Sequence, residues 1–488
     1  MTRATFALAA VALLGPASGV PGPGSVQGPG ASLSADLDKI FAAPALARAL
    51  VGIRIESLRD GLLYERNGAK LVMPASNMKL LTVAVAAERL GWDYTFETRL
   101  EAAGSIQDGV LRGDLVVTGT GDPSIGSPDG RPAQLFLEWA DALRQAGVRR
   151  VDGRLIGDDR AFDDEGLGAG WAWDYLAAGY AARAGALSFN ENVAVLRITP
   201  GAEAGGPAAI AVAPAGHGLD VTNDMRTGAA GTPVSVDLAR LPGSAKLTVR
   251  GSVPVGRAPV VRTTAVDNPT RYFVEALRIA LAARGITVSG GAFDIADVRD
   301  APAAARRLIA RRQSMPLSSL SADCLKESQN FYAETFLKAL GRSGGGQGTV
   351  AGGRAAVRET LASWGIPADA FVMSDGSGLS RYDYVTADAA VGLLRHVWED
   401  EKLRGPFVAA LPIGGRDGTL DTRMKDPPLA GRVQAKTGTI ANMRALSGYL
   451  TTNSGEKIVF SIIANHFTVP AAEIDAIAEQ ALARLVAR

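Results

Sequence analysis

The strongest constraint in this sequence is a change of texture in its middle. Near the start, Val51–Glu56 and Leu62–Arg66 read as two strands joined through Arg59-Asp60-Gly61, a hairpin signal. Pro74-Ala75-Ser76 then opens a helical pattern, Asn77 to Leu90, which Gly91 stops. From there to Arg307 the chain carries many Gly and Pro turns and short Val-containing runs, such as Asp114–Thr118, Val193–Ile198 and Lys246–Val249. Two helices interrupt this stretch, Pro132–Ala146 and Pro269–Ala283. Each is followed closely by a Gly and then by a strand, Val151–Ile156 or Ile286–Ser289, which we read as common α/β grammar rather than as a repeat. Regularity returns near the other end. Arg432–Lys436, Arg444–Thr452 and Lys457–His466 read as three successive strands, with Asn453-Ser454-Gly455 as the last turn. Ala471–Val486 places Ile474, Ile477, Leu482 and Leu485 on one helical face, and its polar face is too poor in Lys and Arg for a membrane-surface helix. It is expected to pack on a sheet. The pattern implies an α/β chain whose two ends form one unit, split by an insertion of two small domains.

Composition narrows the function classes. At 488 residues and 47% apolar content, the chain can bury more than one core. Its 51 basic and 50 acidic side chains leave a formal charge of +1, which favours neither nucleic acid nor an anionic membrane surface. A small neutral or zwitterionic substrate suits that balance. The single cysteine, Cys324, excludes an internal disulfide and reads as a buried structural thiol. His217, His396 and His466 stand far apart without ligand-like spacing, so neither a zinc site nor any cofactor is expected. At the N-terminus, Arg3, the apolar run Phe6–Leu14 and Gly15-Pro16-Ala17-Ser18-Gly19 have the order of a secretory signal, taken as residues 1–19. The run is too short to span a bilayer, no cysteine follows for a lipid anchor, and no later segment is long enough to span. Gly19–Ser34 reads as an unstructured leader.

Three motifs carry the chemistry. Ser76 and Lys79 lie three apart on a helix, hence on one face, as a serine nucleophile with a lysine base requires. A lysine serves as base only if burial or positive charge lowers its pKa. Alone the motif is weak, since about one such pair is expected by chance in a chain this long. Ser328-Gln329-Asn330 falls in the helical run Ser321–Leu340, where the hydroxyl can relay a proton and the amide can hold a carbonyl. Lys436-Thr437-Gly438-Thr439 follows the strand-like run Arg432–Ala435 and is the strongest signal of the three. Such a strand aligns a peptide by backbone pairing, Lys and Thr suit a carboxylate, and Gly allows close approach.

In this order and context, the motifs resemble those of the active-site serine penicillin-recognising superfamily. The finer resemblance is to the class C low-molecular-mass penicillin-binding proteins, the D-alanyl-D-alanine carboxypeptidase/endopeptidase family. There the first two motifs are separated by a long insertion, and here Lys79 and Ser328 stand 249 positions apart. Gly121-Asp122-Pro123, Leu187 to Asn192, Asp375 to Arg381, Leu411-Pro412 and Gly418-Thr419-Leu420 look like the same family, which extends the likeness over nearly the whole chain. The middle residue of the second motif is Gln329, where Asp or Asn is more usual. Asp375–Arg381 lacks a dinucleotide-type helix after its Gly-x-Gly and is read as a loop bordering the cleft.

The resemblance implies a transpeptidase/β-lactamase-like domain, an antiparallel sheet flanked by helices, in residues 30–92 and 308–488. It also implies an inserted domain in 93–180 and 265–307 and another in 181–264. It implies that Ser76 is acylated, Lys79 is the base, Ser328 and Asn330 shape the second wall, and Lys436 and Thr437 hold the substrate carboxylate. Gly438 leaves room, and the backbone N–H groups of Ser76 and Thr439 form an oxyanion hole. A positive Lys436 near the same hydroxyl would favour a neutral Lys79. The partners implied are peptidoglycan peptides as substrates and β-lactam antibiotics as covalent inhibitors. The implied setting is the periplasm or extracytoplasmic envelope, with at most peripheral attachment. The competing readings are a β-lactamase, which is generally shorter, and a catalytically silent cell-wall-binding module.

Overall fold

The computed structural model describes residues 29–126, 133–300 and 305–488. The secretory signal expected in residues 1–19, the leader as far as residue 28, and Pro132 lie outside the described residues. The part of the leader that is described is not irregular: a helix spans Pro29–Phe41 and buries Leu33, Leu37 and Phe41. The Gly/Pro/Ser content that suggested a leader stops at the first turn of that helix, and the apolar spacing beyond it decides the conformation.

The two ends of the chain meet in one sheet. Its five strands run in the order Val433–Ile440, Met443–Thr451, Lys457–Asn465, Leu50–Ser57 and Gly61–Arg66. All neighbours are antiparallel, and Leu50–Ser57 pairs residue for residue with Asn465–Ile458. Both faces are covered, so the strands read as continuous apolar runs. Leu446, Leu450, Ile458, Phe460 and Ile462 face the helices Pro29–Phe41 and Ala471–Val486. Alternate residues, Ala445, Tyr449, Val459 and Ile463, face a helical body formed by Met78–Leu90, Leu317–Lys326, Asn330–Ser343, Val350–Ser363, Ala387–Glu399 and Glu401–Ala410. The closing helix buries Ile474, Leu482 and Leu485 against the sheet, and Ile477 is partly buried there. This is the expected antiparallel sheet flanked by helices.

Residues 97–313 build a second body. A seven-stranded sheet contains Glu97–Gln107, Val110–Gly119, Arg150–Val151, Leu155–Asp158, Thr287–Val288, Ala292–Asp294 and Arg307–Gln313. Two three-stranded sheets follow from Val193–Thr199, Ala209–Ala213 and Val260–Ala265, and from Asp220–Gly228, Ser235–Ala239 and Lys246–Pro254. One apolar cluster runs through all three sheets and the helices Gln134–Gln145 and Pro269–Ala283. The strand expected at Val151–Ile156 is broken into two short strands, as is its counterpart beyond Ile286. The matching strands of the two units pair in parallel, Thr287 with Arg150 and Ala292 with Leu155. Arg307–Gln313 pairs with Glu97–Ala102 of the inserted sheet, so the chain leaves the second body after Gln313 rather than at the expected 307/308 boundary. Its many arginines carry no apolar period, and only the pairing assigns it.

Among the described residues, no helix is long and apolar enough to cross a membrane.

Candidate active site

Ser76 sits in a tight turn, Ala75–Asn77, which runs into the helix Met78–Leu90. Ala75 has φ +48°, a left-handed conformation that costs a residue with a Cβ roughly 1–2 kcal/mol. The surroundings hold it there. Asn77 Nδ2 donates to Ser447 Oγ on the sheet at 2.6 Å. Two glycines let other segments close on the turn: a Cβ on Gly438 would lie 2.5 Å from the Pro74 carbonyl oxygen, and one on Gly378 would strike that of Ala75.

Lys79 lies one turn along the same helix and is fully buried. Its ammonium donates to Ser76 Oγ at 2.9 Å, Asn330 Oδ1 at 2.6 Å and the Ser377 carbonyl at 2.9 Å. Burial disfavours the charged form and drives its pKa down to about 8, against the opposing pull of Asp375, Glu334 and Asp383. The nearby Cys324 thiol is pushed up to about 12 by burial and stays protonated.

The second motif differs from the expectation in one respect. No single helix spans Ser321–Leu340; one ends at Lys326 and the next begins at Asn330. Ser328 lies between them with φ +60°. A continuous helix would hold Ser328 and Asn330 two positions apart, on different faces; the break turns both into the cleft. Ser328 Oγ accepts from Lys436 Nζ at 2.9 Å, and Asn330 bridges Lys79 to the Tyr180 carbonyl through its amide nitrogen at 2.8 Å.

Lys436-Thr437-Gly438-Thr439 lies within the strand Val433–Ile440 rather than after a strand, at the edge of the five-stranded sheet. Lys436 is fully buried and donates to Ser328 Oγ and the Thr437 carbonyl, both at 2.9 Å, rather than to Ser76. Burial, and then the neighbouring Lys79, holds its pKa well below the usual lysine range. Thr437 Oγ1 donates to Thr419 Oγ1 at 2.7 Å. Ser76, Ser328, Asn330, Thr437 and Thr439 thus converge on one cleft of about 590 Å³, with Lys79, Lys436 and Gly438 behind its walls.

Sequence reasoning gave no individual role to several residues that shape this cleft. Thr419 and Arg444 line it, as do Tyr175 and Tyr180 from the inserted body. Glu334 is buried on the helix that Asn330 opens, and its carboxylate accepts the Ser377 N–H at 2.8 Å and the Gly376 N–H at 3.1 Å. Asp375 accepts N–H groups of Ser377, Gly378 and Ser380 and the Trp171 indole N–H at 2.7 Å. These two carboxylates clamp the loop that presents the Ser377 carbonyl to Lys79. The i,i+4 spacing of Asn330 and Glu334 was the available signal. Gly378 and Leu379 of the same loop border the cleft.

This arrangement, a hydroxyl beside a buried low-pKa amine with a second lysine and paired hydroxyls across the cleft, suits acyl transfer through a serine ester. Comparison with known proteins agrees. A D-alanyl-D-alanine carboxypeptidase of Actinomadura sp. (strain R39) is 35% identical over 460 residues, covering 90% of this chain and 82% of that protein. The D-alanyl-D-alanine carboxypeptidase DacB of Haemophilus influenzae is 27% identical over 420 residues, covering 84% of each. The crystal structure of penicillin binding protein 4 (dacB) from H. influenzae superposes with a TM-score of 0.80 at 25% identity, covering 92% of this chain and 98% of that one. The family model for the D-Ala-D-Ala carboxypeptidase 3 (S13) family matches residues 33–486, and the chain belongs to that family.

Proposed function

We propose that this protein cleaves the D-alanyl-D-alanine ends and D-alanyl cross-links of peptidoglycan stem peptides by a two-step acyl transfer on Ser76. The observation that carries this reading is the 2.9 Å contact from Ser76 Oγ to a fully buried Lys79 whose pKa is driven to about 8. Lys79 in its neutral form takes the proton of Ser76 as the hydroxyl attacks the penultimate D-alanine carbonyl. The backbone N–H groups of Ser76 and Thr439 receive the developing oxyanion, a contribution of about 3 kcal/mol per donor. Ser328 and Asn330 form the opposite wall, and the Ser328 hydroxyl relays to the departing D-alanine amine the proton that Lys79 took from Ser76, so that both groups end the step as they began it. Lys436, Thr437 and Thr419 receive the terminal carboxylate, with Gly438 leaving room for it. Water then hydrolyses the ester.

β-Lactams acylate the same serine in this reading, because their strained amide occupies the place of the scissile bond. Export to the periplasm or another extracytoplasmic compartment agrees with the apolar start of the sequence. The inserted body divides into one domain of 93–180 with 265–313 and another of 181–264. Labelling with a fluorescent penicillin tests the central claim: the wild type takes the label covalently and Ser76→Ala does not. A wild-type protein that remains unlabelled would sink it.

A further inference from the structure

The second motif is also held from outside its own sheet and helices, by a strained piece of the inserted body. Asn190, Glu191 and Asn192 have φ of +52°, +55° and +57°, three successive residues with a Cβ in the left-handed region. Asparagine tolerates that region when its short amide bonds to nearby backbone. Both asparagines here are buried and do so. Asn190 Nδ2 donates to the Val193 carbonyl at 2.9 Å, and Asn192 accepts the Phe189 N–H at 3.1 Å while donating to the Arg183 carbonyl at 2.8 Å.

Glu191 between them makes its side-chain bond elsewhere. Its Oε2 accepts from Gln329 Nε2 at 2.9 Å, across 138 positions of sequence. Gln329 stands between Ser328, on the Lys436 ammonium, and Asn330, on the Lys79 ammonium. Its two neighbours are tied to the lysines and Asn330 also to the Tyr180 carbonyl, but the Gln329 side chain is held by Glu191, with the Cys324 thiol donating to the Gln329 carbonyl at 3.8 Å. The segment lies between two helices, Ser328 has φ +60°, and the helix that Asn330 opens has no side-chain cap at Gln329. Burial and the nearby Asp323 push the Glu191 carboxyl upward, and the Gln329 amide opposes them.

We propose that Glu191 is a positioning residue for the peptidase reaction: the left-handed turn of the inserted body fixes Gln329, and through it sets the Ser328 hydroxyl and the Asn330 amide against the two lysines. No proton moves at Glu191; it acts only by holding its neighbour. The proposal gives the insertion a role in the chemistry, and it rests on the carboxypeptidase reading above.

The test measures D-alanine release from a synthetic peptide ending in D-Ala-D-Ala, and the rate of acylation by fluorescent penicillin, on the full chain. Glu191→Ala and Gln329→Ala are each expected to lower kcat by about tenfold with little change in KM, as small displacements of reacting groups do. The double variant is expected to be no slower than the worse single one, because both remove one link. Glu191→Gln keeps an acceptor oxygen and retains most of the rate. Glu191→Gly relieves the backbone, so Tm does not fall, yet its rate drops as in Glu191→Ala. Wild-type rates in Glu191→Ala, single losses that multiply in the double variant, or a Glu191→Gly loss that merely follows a lost fold overturn the proposal. A wild type that neither releases D-alanine nor takes penicillin overturns the carboxypeptidase reading instead, and this proposal with it.

Discussion

Lys79 and Lys436 are both fully buried and both donate only to uncharged oxygens, yet their surroundings differ in sign. Around Lys79 stand the carboxylates of Glu334, Asp375 and Asp383, which partly offset its desolvation and leave its pKa at about 8. Among the described residues no carboxylate offsets the desolvation of Lys436; burial and Lys79 together drive it well below the usual range. A group near 8 can give up and regain a proton at neutral pH, which is what a base needs. A buried amine without a counter-charge is electrostatically incomplete. In the proposed reaction a substrate carboxylate arriving beside Thr437 and Thr419 would supply the missing charge and favour the ammonium. One pocket would then be tuned by the protein and the other by its ligand.

Removing the tuned base should have the largest effect. Lys79→Gln is expected to lower kcat for D-alanine release by roughly 10³-fold, within the usual range for general-base loss, with the protein still folded by circular dichroism. Near-normal turnover in that variant would erase the distinction between the lysines. Lys436→Ala should cost about 10²-fold in kcat/KM on a substrate with a free terminal carboxylate, and far less on the matching carboxyl amide. Equal losses on the two substrates would remove Lys436 from carboxylate recognition. The smallest effect sharpens the comparison by pH. Wild-type acylation should rise through about pH 8 as Lys79 loses its proton. Glu334→Gln removes a group that favours the ammonium form. Burial and Asp375 push the Glu334 carboxyl up to about 8, so it ionises over the same range as Lys79, and the limb should move modestly to lower pH while the plateau falls. A plateau that falls with the limb unmoved would restrict Glu334 to holding its loop.

Much of this was legible before any coordinates. The helix after Ser76 and the strand that carries Lys436 were read from their patterns, and the closing helix keeps its expected limits, Ala471–Val486, because its apolar period is strong. What escaped was non-local or strained. The Ser328 break is invisible because Ser321–Leu340 contains no Gly or Pro, and a hydrogen bond to a lysine 108 positions away sustains the conformation. Thr419 entered only as part of a family-like segment, since nothing local pairs it with Thr437. Glu334 drew no reading; its i,i+4 spacing from Asn330 places it on the same helix face, but only the fold brings the loop of Gly376 and Ser377 onto it. The boundary expected at 307/308 falls inside the strand Arg307–Gln313, whose pairing with the inserted sheet leaves little trace in a basic run.

The five-stranded sheet has a consequence for how the molecule comes into being. Its strand Leu50–Ser57 is flanked by Gly61–Arg66, which follows at once, and by Lys457–Asn465, made some four hundred residues later. Until the latter emerges the hairpin has an open edge, and until Val433–Ile440 and Met443–Thr451 emerge the turn that carries Ser76 lacks the strands that close on it. The intervening body has its own apolar cluster and can gather first. Such distant pairing makes closure of the sheet a late, slow event in folding. The cleft around Ser76 is thus completed only by the last strands of the chain to be made.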